Sequence, residues 1–275
     1  MCLVTGATSG HGRALARRLA RMGADLVLLG RSEARCRQVQ QQIEQDCGRT
    51  PELLICDLAG RAAVHDAAQR WLQQDRPLHL LVNNAGLVNL RRTETADGVE
   101  QTFAVNYLAQ FQLTLELLPR LLRSAPARVI NVSSDTHRIV RLRLDDLEHR
   151  RGYSLMGAYG RSKLAIVHYT VELARRLGPR PVTVNAVDPG PVESGIGQNN
   201  PGLAADLLTV MMRHTFPEAE WSCGTAAWLA ADPGLWDVSG AYFKYGRRRE
   251  IRIDPRVSRQ LWDISLRMTG ADFSA

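Results

Sequence analysis

Short apolar runs alternate with longer amphipathic segments along most of the chain. Six runs of strand length are almost continuously apolar: MCLVTG, DLVLLG, ELLICD, LHLLVNN, ARVINVSS and PVTVNAVDPG. Five intervening segments have the periodicity of helices: RALARRLARM, EARCRQVQQQIEQ, AAVHDAAQRWLQQ, GVEQTFAVNYLAQFQLTLELLPRLL and GAYGRSKLAIVHYTVELARRL. Strands that are apolar on both faces are typical of parallel sheets covered by helices. The pattern therefore predicts an α/β fold, a doubly wound parallel sheet with helices on both faces, in a single domain over residues 1–275.

Composition narrows the class of protein. The net charge is +7, but its densest segment, residues 246–256, has no interleaved aromatics and is interpreted as solvated surface rather than a nucleic-acid site. The five cysteines include no C-x-x-C pair, and the histidines form no ligand cluster, so we expect a reducing compartment and no metal. No apolar run approaches the ~18 residues of a membrane span, and the chain opens on a predicted strand. We therefore expect a cytoplasmic protein.

The first predicted strand ends in a glycine-rich turn, TGATSGHG, residues 5–12. A tight turn into a helix presents free backbone N–H groups and the positive end of the helix dipole, and glycines let a pyrophosphate approach the backbone. The turn predicts a Rossmann-type dinucleotide site, although its spacing differs from G-x-G-x-x-G and such a turn can also be purely structural. The candidate cofactor-binding residues here are Gly6, Thr8, Ser9, Gly10 and Gly12.

The end of the second predicted strand bears on which dinucleotide binds. An acidic residue at this place usually holds the ribose hydroxyls of NAD, whereas an arginine accommodates the 2′-phosphate of NADP. Here Gly30 ends the strand and Arg31 follows. The absence of a carboxylate favours NADP(H), with NAD(H) as the alternative, in which case Arg31 is an ordinary surface arginine.

Several motifs in chain order resemble the short-chain dehydrogenase/reductase family, and most of all its retinol-dehydrogenase-like branch. They are TGATSGHG, Asp57 in CDL, NNAG at 83–86, Asn106 in VNYL, Ser133 and Ser134 in INVSS, YGRSK at 159–163 and DPGPVES at 188–194. The resemblance implies a catalytic set of Asn106, Ser134, Tyr159 and Lys163. It also implies further cofactor contacts from Asp57, Leu58, Asn83, Ala85, Gly86, Tyr159, Lys163, Pro189, Gly190, Val192 and Ser194. His11 replaces the Ile or Leu usual in the family's turn and is interpreted as a packing or surface substitution.

The residue types and spacing in the YGRSK segment indicate proton-transfer chemistry independently of the family resemblance. Only Lys163 and Lys244 are lysines among 35 basic residues. Tyr159 and Lys163 are four positions apart on a predicted helix and therefore share a face. An ammonium there is expected to lower the tyrosine's pKa from its reference of ~10 toward neutrality and to bind ribose hydroxyls, for which a planar guanidinium is poorly shaped.

The combined interpretation is an NADP(H)-dependent oxidoreductase that transfers hydride between nicotinamide and a carbonyl or alcohol. An apolar segment after DPGPVES predicts a substrate lid at about 195–221 and a lipophilic substrate, the alternative being a core or subunit contact. Arginines at 138, 141, 143, 150 and 151 are candidates for a polar rim. The rival functions are a non-catalytic NADP(H)-binding regulator and an epimerase or dehydratase. A homo-oligomer is compatible with the sequence.

Overall fold

The computed structural model describes residues 1–190 and 219–273. Its strands, in chain order, are β1 (Cys2–Thr5), β2 (Leu26–Gly30), β3 (Glu52–Ile55), β4 (Leu80–Asn83), β5 (Ala127–Val132), β6 (Val182–Asp188), β7 (Tyr242–Lys244) and β8 (Arg247–Arg249). They form one sheet in the order β3-β2-β1-β4-β5-β6-β7-β8. All neighbours are parallel except β7 and β8, which pair as an antiparallel hairpin.

Helices connect the parallel strands. In the described residues they are α1 (Gly10–Arg21), α2 (Glu33–Cys47), α3 (Arg61–Leu72), α4 (Gln101–Phe103), α5 (Ala109–Arg123), α6 (Leu155–Leu177), α7 (Ala219–Ser222), α8 (Gly224–Ala231) and α9 (Pro255–Thr269). A π-helical turn, Ala104–Leu108, joins α4 to α5, and a 3-10 turn, Asp135–Ile139, follows β5. The doubly wound parallel sheet predicted from the hydrophobic pattern is confirmed, with the antiparallel β8 added at one edge.

Alternation along the strands divides the apolar core in two. Leu3 and Val129 face one side, where they pack with α3, α5, α6 and α9, whereas Val4 and Ile130 face the other, where they pack with α1, α2 and α8. Both faces of the central strands are thus buried, which is why their sequences are apolar at nearly every position. The carboxyl ends of these strands meet along one edge of the sheet, where a doubly wound fold places its ligands.

Two sequence expectations fall partly or wholly outside these residues. The lid at about 195–221 lies outside the described residues except for its last positions, in α7, and the cofactor candidates Val192 and Ser194 lie outside them too. Within the described part of the chain, no helix combines the length and apolar character that crossing a bilayer requires.

Candidate active site

A cleft of about 870 Å³ opens at the carboxyl edge of the sheet. Most of the sequence-predicted site residues line it: Gly6, Thr8, Ser9, Gly10, Gly12, Arg31, Asp57, Leu58, Ala85, Gly86, Ser134, Tyr159, Lys163, Pro189 and Gly190. Asn83 and Asn106 are not part of its wall. We call the part of the cleft beside Arg31 and Asp57 the β2 end, and the part beside Ser134, Tyr159 and Lys163 the β5 end.

The glycine turn between β1 and α1 forms the floor between the two ends. Gly6 and Gly10 have φ values of +65° and +47°, in the left-handed region that favours glycine. A Cβ on Gly12 would overlap the Asn84 amide and the Gly6 carbonyl, so this position requires glycine for packing. Ser9, the N-cap of α1, makes no side-chain capping bond, and the first-turn N–H groups have no partner within the helix. The turn therefore presents a cradle for an anion.

Asn84, and not Asn83, carries the amide that faces the cleft. Asn83 is fully buried, and its Nδ2 donates to Thr114 Oγ1 and Asn131 Oδ1, both at 2.8 Å. Asn84 lines the cleft, and its Nδ2 donates to the Thr5 carbonyl at 2.8 Å. Successive strand residues point to opposite faces, so it is the side chain of Asn84 that lines the cleft, and the cofactor contact expected of Asn83 stays a prediction.

His11, the unusual residue of the glycine turn, supports Asn84. Its Nδ1 lies 2.9 Å from Asn84 Oδ1. The side chain is 6% exposed, and burial lowers the pKa of its imidazole from the ordinary value. A neutral imidazole with its proton on Nδ1 donates to Asn84, whose amide in turn donates to the backbone of β1 and the turn. The interpretation of His11 as a packing residue agrees with this position, and its ring also lines the cleft.

The β5 end places a hydroxyl, a phenol and an ammonium together. Ser134 follows β5, while Tyr159 and Lys163 project from α6, which is capped by Ser154. Lys163 is 2% exposed; its Nζ donates to the Val132 carbonyl at 2.8 Å and lies 5.5 Å from the centroid of the Tyr159 ring. Ser133 Oγ donates a hydrogen bond to the Lys163 carbonyl at 2.9 Å. Of the two serines, Ser134 is therefore the one with a hydroxyl available to a ligand.

Burial acts on the charged forms of both α6 side chains. Desolvation, with a smaller contribution from the carboxylate of Asp188, raises the pKa of Tyr159, and a hydrogen bond with Ser134 opposes part of the rise. Desolvation lowers the pKa of Lys163 to about 8, against an opposing effect of Asp188. The expected lowering of the tyrosine's pKa is not seen in this structure, because burial disfavours the phenolate. Tyr159 is a protonated phenol at neutral pH.

Asn106 lies behind the cleft wall, in the π-helical turn. It is fully buried, with Oδ1 accepting from Leu87 N at 2.8 Å and Nδ2 donating to the Leu87 carbonyl at 3.0 Å and to Ser162 Oγ at 3.1 Å. A Cβ on Gly86 would lie 3.4 Å from Asn106 Oδ1 and 3.6 Å from Lys163 Nζ. Asn106 and Lys163 therefore flank the same glycine, one from behind it and one from the cleft.

Comparison with known proteins agrees with this arrangement. A family model described as short chain dehydrogenase matches residues 1–202. The chain belongs to the short-chain dehydrogenase/reductase family. Human retinol dehydrogenase 14 is 37% identical over 98% of this chain and 85% of its own length, and human polyprenol dehydrogenase is 36% identical over the same shares. A short-chain dehydrogenase from Burkholderia cenocepacia, solved in complex with NADP, is 29% identical, covers 88% of this chain and 94% of its own, and superposes with a TM-score of 0.69. The predicted resemblance to the retinol-dehydrogenase-like branch is confirmed.

Sequence reasoning missed several side chains that line the cleft of this short-chain dehydrogenase. Arg35, in the first turn of α2, joins Arg31 at the β2 end, and the spacing of four residues between them was the available signal. At the β5 end the cleft is also lined by Asp135, Asp188 and Lys244, which end or follow three adjacent strands. No local sequence pattern relates these three residues, because their contact depends on the pairing of β5, β6 and β7.

Proposed function

We propose that this short-chain dehydrogenase is an NADP(H)-dependent oxidoreductase that interconverts a lipophilic alcohol and its carbonyl compound. The observation that carries the proposal is the placement of Ser134, Tyr159 and Lys163 at one end of a single cleft whose other end holds Arg31 and Arg35. A phenol, a hydroxyl and an ammonium suit proton transfer to a substrate oxygen. Two guanidinium groups suit a phosphate monoester.

The residues present fit a nicotinamide dinucleotide. The cleft volume of about 870 Å³ lies within the range of ~300–1,000 Å³ that cofactor and ligand sites span. The glycine turn and the N-terminus of α1 would hold the pyrophosphate, Asp57 and Leu58 the adenine, and Ala85 and Gly86 the adenosine ribose. Lys163 would hold the nicotinamide ribose, with Pro189 and Gly190 at the nicotinamide edge. The Burkholderia relative, solved in complex with NADP, supports the binding of a nicotinamide dinucleotide.

The chain's own residues bind the substrate oxygen and supply its proton. NADPH, when bound, supplies the hydride that a carbonyl carbon accepts. The Ser134 hydroxyl holds the carbonyl oxygen by a hydrogen bond, and the Tyr159 phenol donates its proton to that oxygen as negative charge develops there. Lys163, largely an ammonium at pH 7 with a pKa of about 8, stabilises the phenolate that results. The family resemblance assigns Asn106 a part in the return of the proton through water, although its own side-chain amide is bonded to Leu87 and Ser162.

Apolar cleft residues support a lipophilic substrate. Leu155 and Met156, in the first turn of α6, line the cleft one turn before Tyr159, together with Leu87 and Val88. Relatives named retinol and polyprenol dehydrogenases also support a large apolar substrate. Three of the arginines expected to form a polar rim are already in ion pairs, which weakens the case for an anionic ligand there. The pairs are Arg138 with Asp135, Arg143 with Asp145 and Arg150 with Glu148.

A substrate panel with NADPH tests the proposal. Medium-chain aldehydes, retinal-like polyenals, steroid ketones and small polar ketones are compared by the rate of NADPH oxidation. We expect kcat/KM to rise with apolar size, and Met156→Ala to reduce it for the largest substrates. Met22→Ala, a similarly exposed methionine outside the cleft, is the matched control. A best substrate among the small polar ketones would refute the lipophilic site, and tight NADPH binding without turnover of any substrate would favour the regulator.

A further inference from the structure

Lys244, the second lysine of the chain, joins two carboxylates at the β5 end. It is the last residue of β7 and pairs in register with Asp188, the last residue of β6. Its Nζ lies 2.6 Å from Asp135 Oδ2 and 3.1 Å from Asp188 Oδ2. Asp135 directly follows Ser134, and all three charged side chains line the cleft. One ammonium thus bridges acidic residues from the ends of two other strands.

Asp188 fixes the backbone on either side of this bridge. Its Oδ2 accepts from Asp135 N at 2.9 Å, and its Oδ1 accepts from Gly190 N at 2.7 Å. The same carboxylate therefore connects the segment that begins at Ser134 with the turn at Pro189 and Gly190. Asp188 is 3% exposed, so its orientation depends on these bonds and on Lys244.

The bridge is also a charge balance. Asp135 has further partners, since Arg138 Nε and the Tyr242 hydroxyl each donate to its Oδ1 at 3.1 Å. Without Lys244, Asp135 would keep Arg138, but Asp188 would lose the counter-charge 3.1 Å away. A buried carboxylate deprived of a partner interacts strongly with every nearby charge, because little water screens it.

The charge of Asp188 acts on two groups of the proposed reaction, Tyr159 and Lys163. Its carboxylate contributes to the raised pKa of Tyr159 and counteracts the lowering of the pKa of Lys163. The charge of Asp188 also favours the protonated forms of His11 and His137. Burial has the larger effect on both and lowers the pKa of each imidazole. Lys244 has a raised pKa because its carboxylate partners outweigh its own desolvation, so it stays charged across the neutral range.

At position 244, as at position 163, the shape of the cation explains why the residue is a lysine and not an arginine. A compact ammonium with three donors can bridge two carboxylates from neighbouring strands, whereas a planar guanidinium favours a single carboxylate in a bidentate pair. In a chain whose other basic residues apart from Lys163 are arginines, this geometry singles out position 244.

We propose that Lys244 is a positioning residue of the active site, which holds Ser134 and the 188–190 turn through Asp135 and Asp188 and cancels the charge of Asp188 beside Tyr159 and Lys163. The inference deepens the proposed oxidoreductase function and rests on it for the roles of Ser134 and Tyr159. It assigns Lys244 no direct contact with substrate.

Lysine NMR tests the charge balance without turnover. Protein labelled with ¹³C at lysine Cε has two side-chain signals, and Lys244→Met leaves that of Lys163 alone. We expect Lys244→Met to raise the Lys163 pKa above the wild-type value, and Asp188→Asn added to Lys244→Met to reverse the rise. Arg247→Met removes an exposed cation from the facing position of β8 and should change nothing. An unchanged Lys163 pKa in Lys244→Met would overturn the proposal.

Turnover tests the positioning. For Lys244→Met we expect kcat to fall roughly tenfold or more, the KM for NADPH to rise by a smaller factor because the 188–190 turn is less well held, and the pH midpoint of alcohol oxidation to move upward. Lys244→Arg should restore the midpoint but only part of kcat. If Lys244→Met does not fold, Asp188→Asn alone should move the midpoint downward, and no movement would overturn the proposal. A wild-type protein without turnover defeats the proposed function, whereas the NMR titration still decides whether Lys244 balances Asp188.

Discussion

At the β2 end of the cleft the cations Arg31 and Arg35 are exposed, whereas at the β5 end Lys163 is 2% and Asp188 3% exposed. Solvent reaches the two exposed arginines, so their interactions with a ligand are screened and individually small. The buried charges are held by fixed partners in a low-dielectric setting, so removing one of them leaves another unbalanced. Substitutions at the β2 end should therefore change cofactor choice by modest factors, and substitutions at the β5 end should change the rate and the pH dependence by large ones.

The largest effect is expected for Tyr159→Phe at the β5 end. Loss of the phenol removes the proton donor and little else, so kcat should fall by roughly 10²-fold or more while the affinity for NADPH stays within a few-fold. Steady-state kinetics and NADPH fluorescence titration measure the two quantities. Tyr153→Phe is the matched control, because the Tyr153 hydroxyl donates to the Asn89 carbonyl and does not line the cleft. A Tyr159→Phe enzyme with more than about a tenth of wild-type kcat contradicts the assignment.

Lys163→Met tests how far the β5 end excludes water. The folded-state pKa of Lys163 is about 8, below its ordinary value of 10.5, so the unfolded chain holds more protons between these pH values. Unfolding free energy should therefore rise, relative to Lys163→Met, by up to about 3 kcal/mol as pH increases from 8 to 10.5. Urea denaturation of both proteins without cofactor, across this range, measures the difference. A difference that is flat with pH means that water reaches the ammonium.

Gly12→Ala tests the floor that joins the two ends. The added Cβ would overlap the Gly6 carbonyl, which is backbone, and the Asn84 amide, which is held by hydrogen bonds with His11 and the Thr5 carbonyl. We expect a loss of about 1–3 kcal/mol in unfolding free energy, together with weaker NADPH binding. Gly60→Ala is the control, because a Cβ there would meet only Ala63 Cβ at 3.7 Å and Asp57 O at 4.0 Å, and φ is −109°. Equal stability of Gly12→Ala and the wild type would show that the turn accommodates a methyl group.

Arg31→Ala combined with Arg35→Ala tests cofactor choice at the β2 end. Two exposed charged contacts at under ~1 kcal/mol each predict a rise of about tenfold in the KM for NADPH, with the KM for NADH nearly unchanged. Arg37→Ala, on the same helix but paired with Glu33 and outside the cleft, is the control. Adding a carboxylate at Gly30 is a poor route to NADH preference, since a Cβ there would lie 2.7 Å from Cys36 Sγ. A wild-type preference for NADH contradicts the assignment.

The same two ends show what the sequence could predict. Six strands and the glycine turn were predictable because buried parallel strands are apolar on both faces and the turn needs special backbone. The hairpin of β7 and β8 was missed, since it has three-residue strands and β8 is a run of exposed arginines. The sequence did not show that the side chain of Asn84, rather than that of Asn83, lines the cleft, because an apolar run does not reveal which face each strand residue points to. The contact between Asp188 and Lys244 follows from strand order, which no local pattern encodes.

Salt should produce the smallest effect and separate the two ends most directly. Raising the ionic strength from about 0.1 M to about 1 M shortens the Debye length from about 10 Å to about 3 Å. At the β2 end the exposed Arg31 and Arg35 should then bind NADPH several-fold less well, whereas the KM for NADH changes by less than about twofold.

At the β5 end the ions are protein groups at fixed distances, such as Lys244 Nζ and Asp188 Oδ2 at 3.1 Å. There is no room for mobile ions between them, so kcat should stay nearly constant as the salt concentration rises. In Arg31→Ala/Arg35→Ala the dependence of NADPH binding on salt should shrink toward that of NADH. If instead kcat falls with salt as steeply as NADPH affinity does, the charges at the β5 end are as accessible to solvent ions as the arginines are, and the contrast in burial does not govern function.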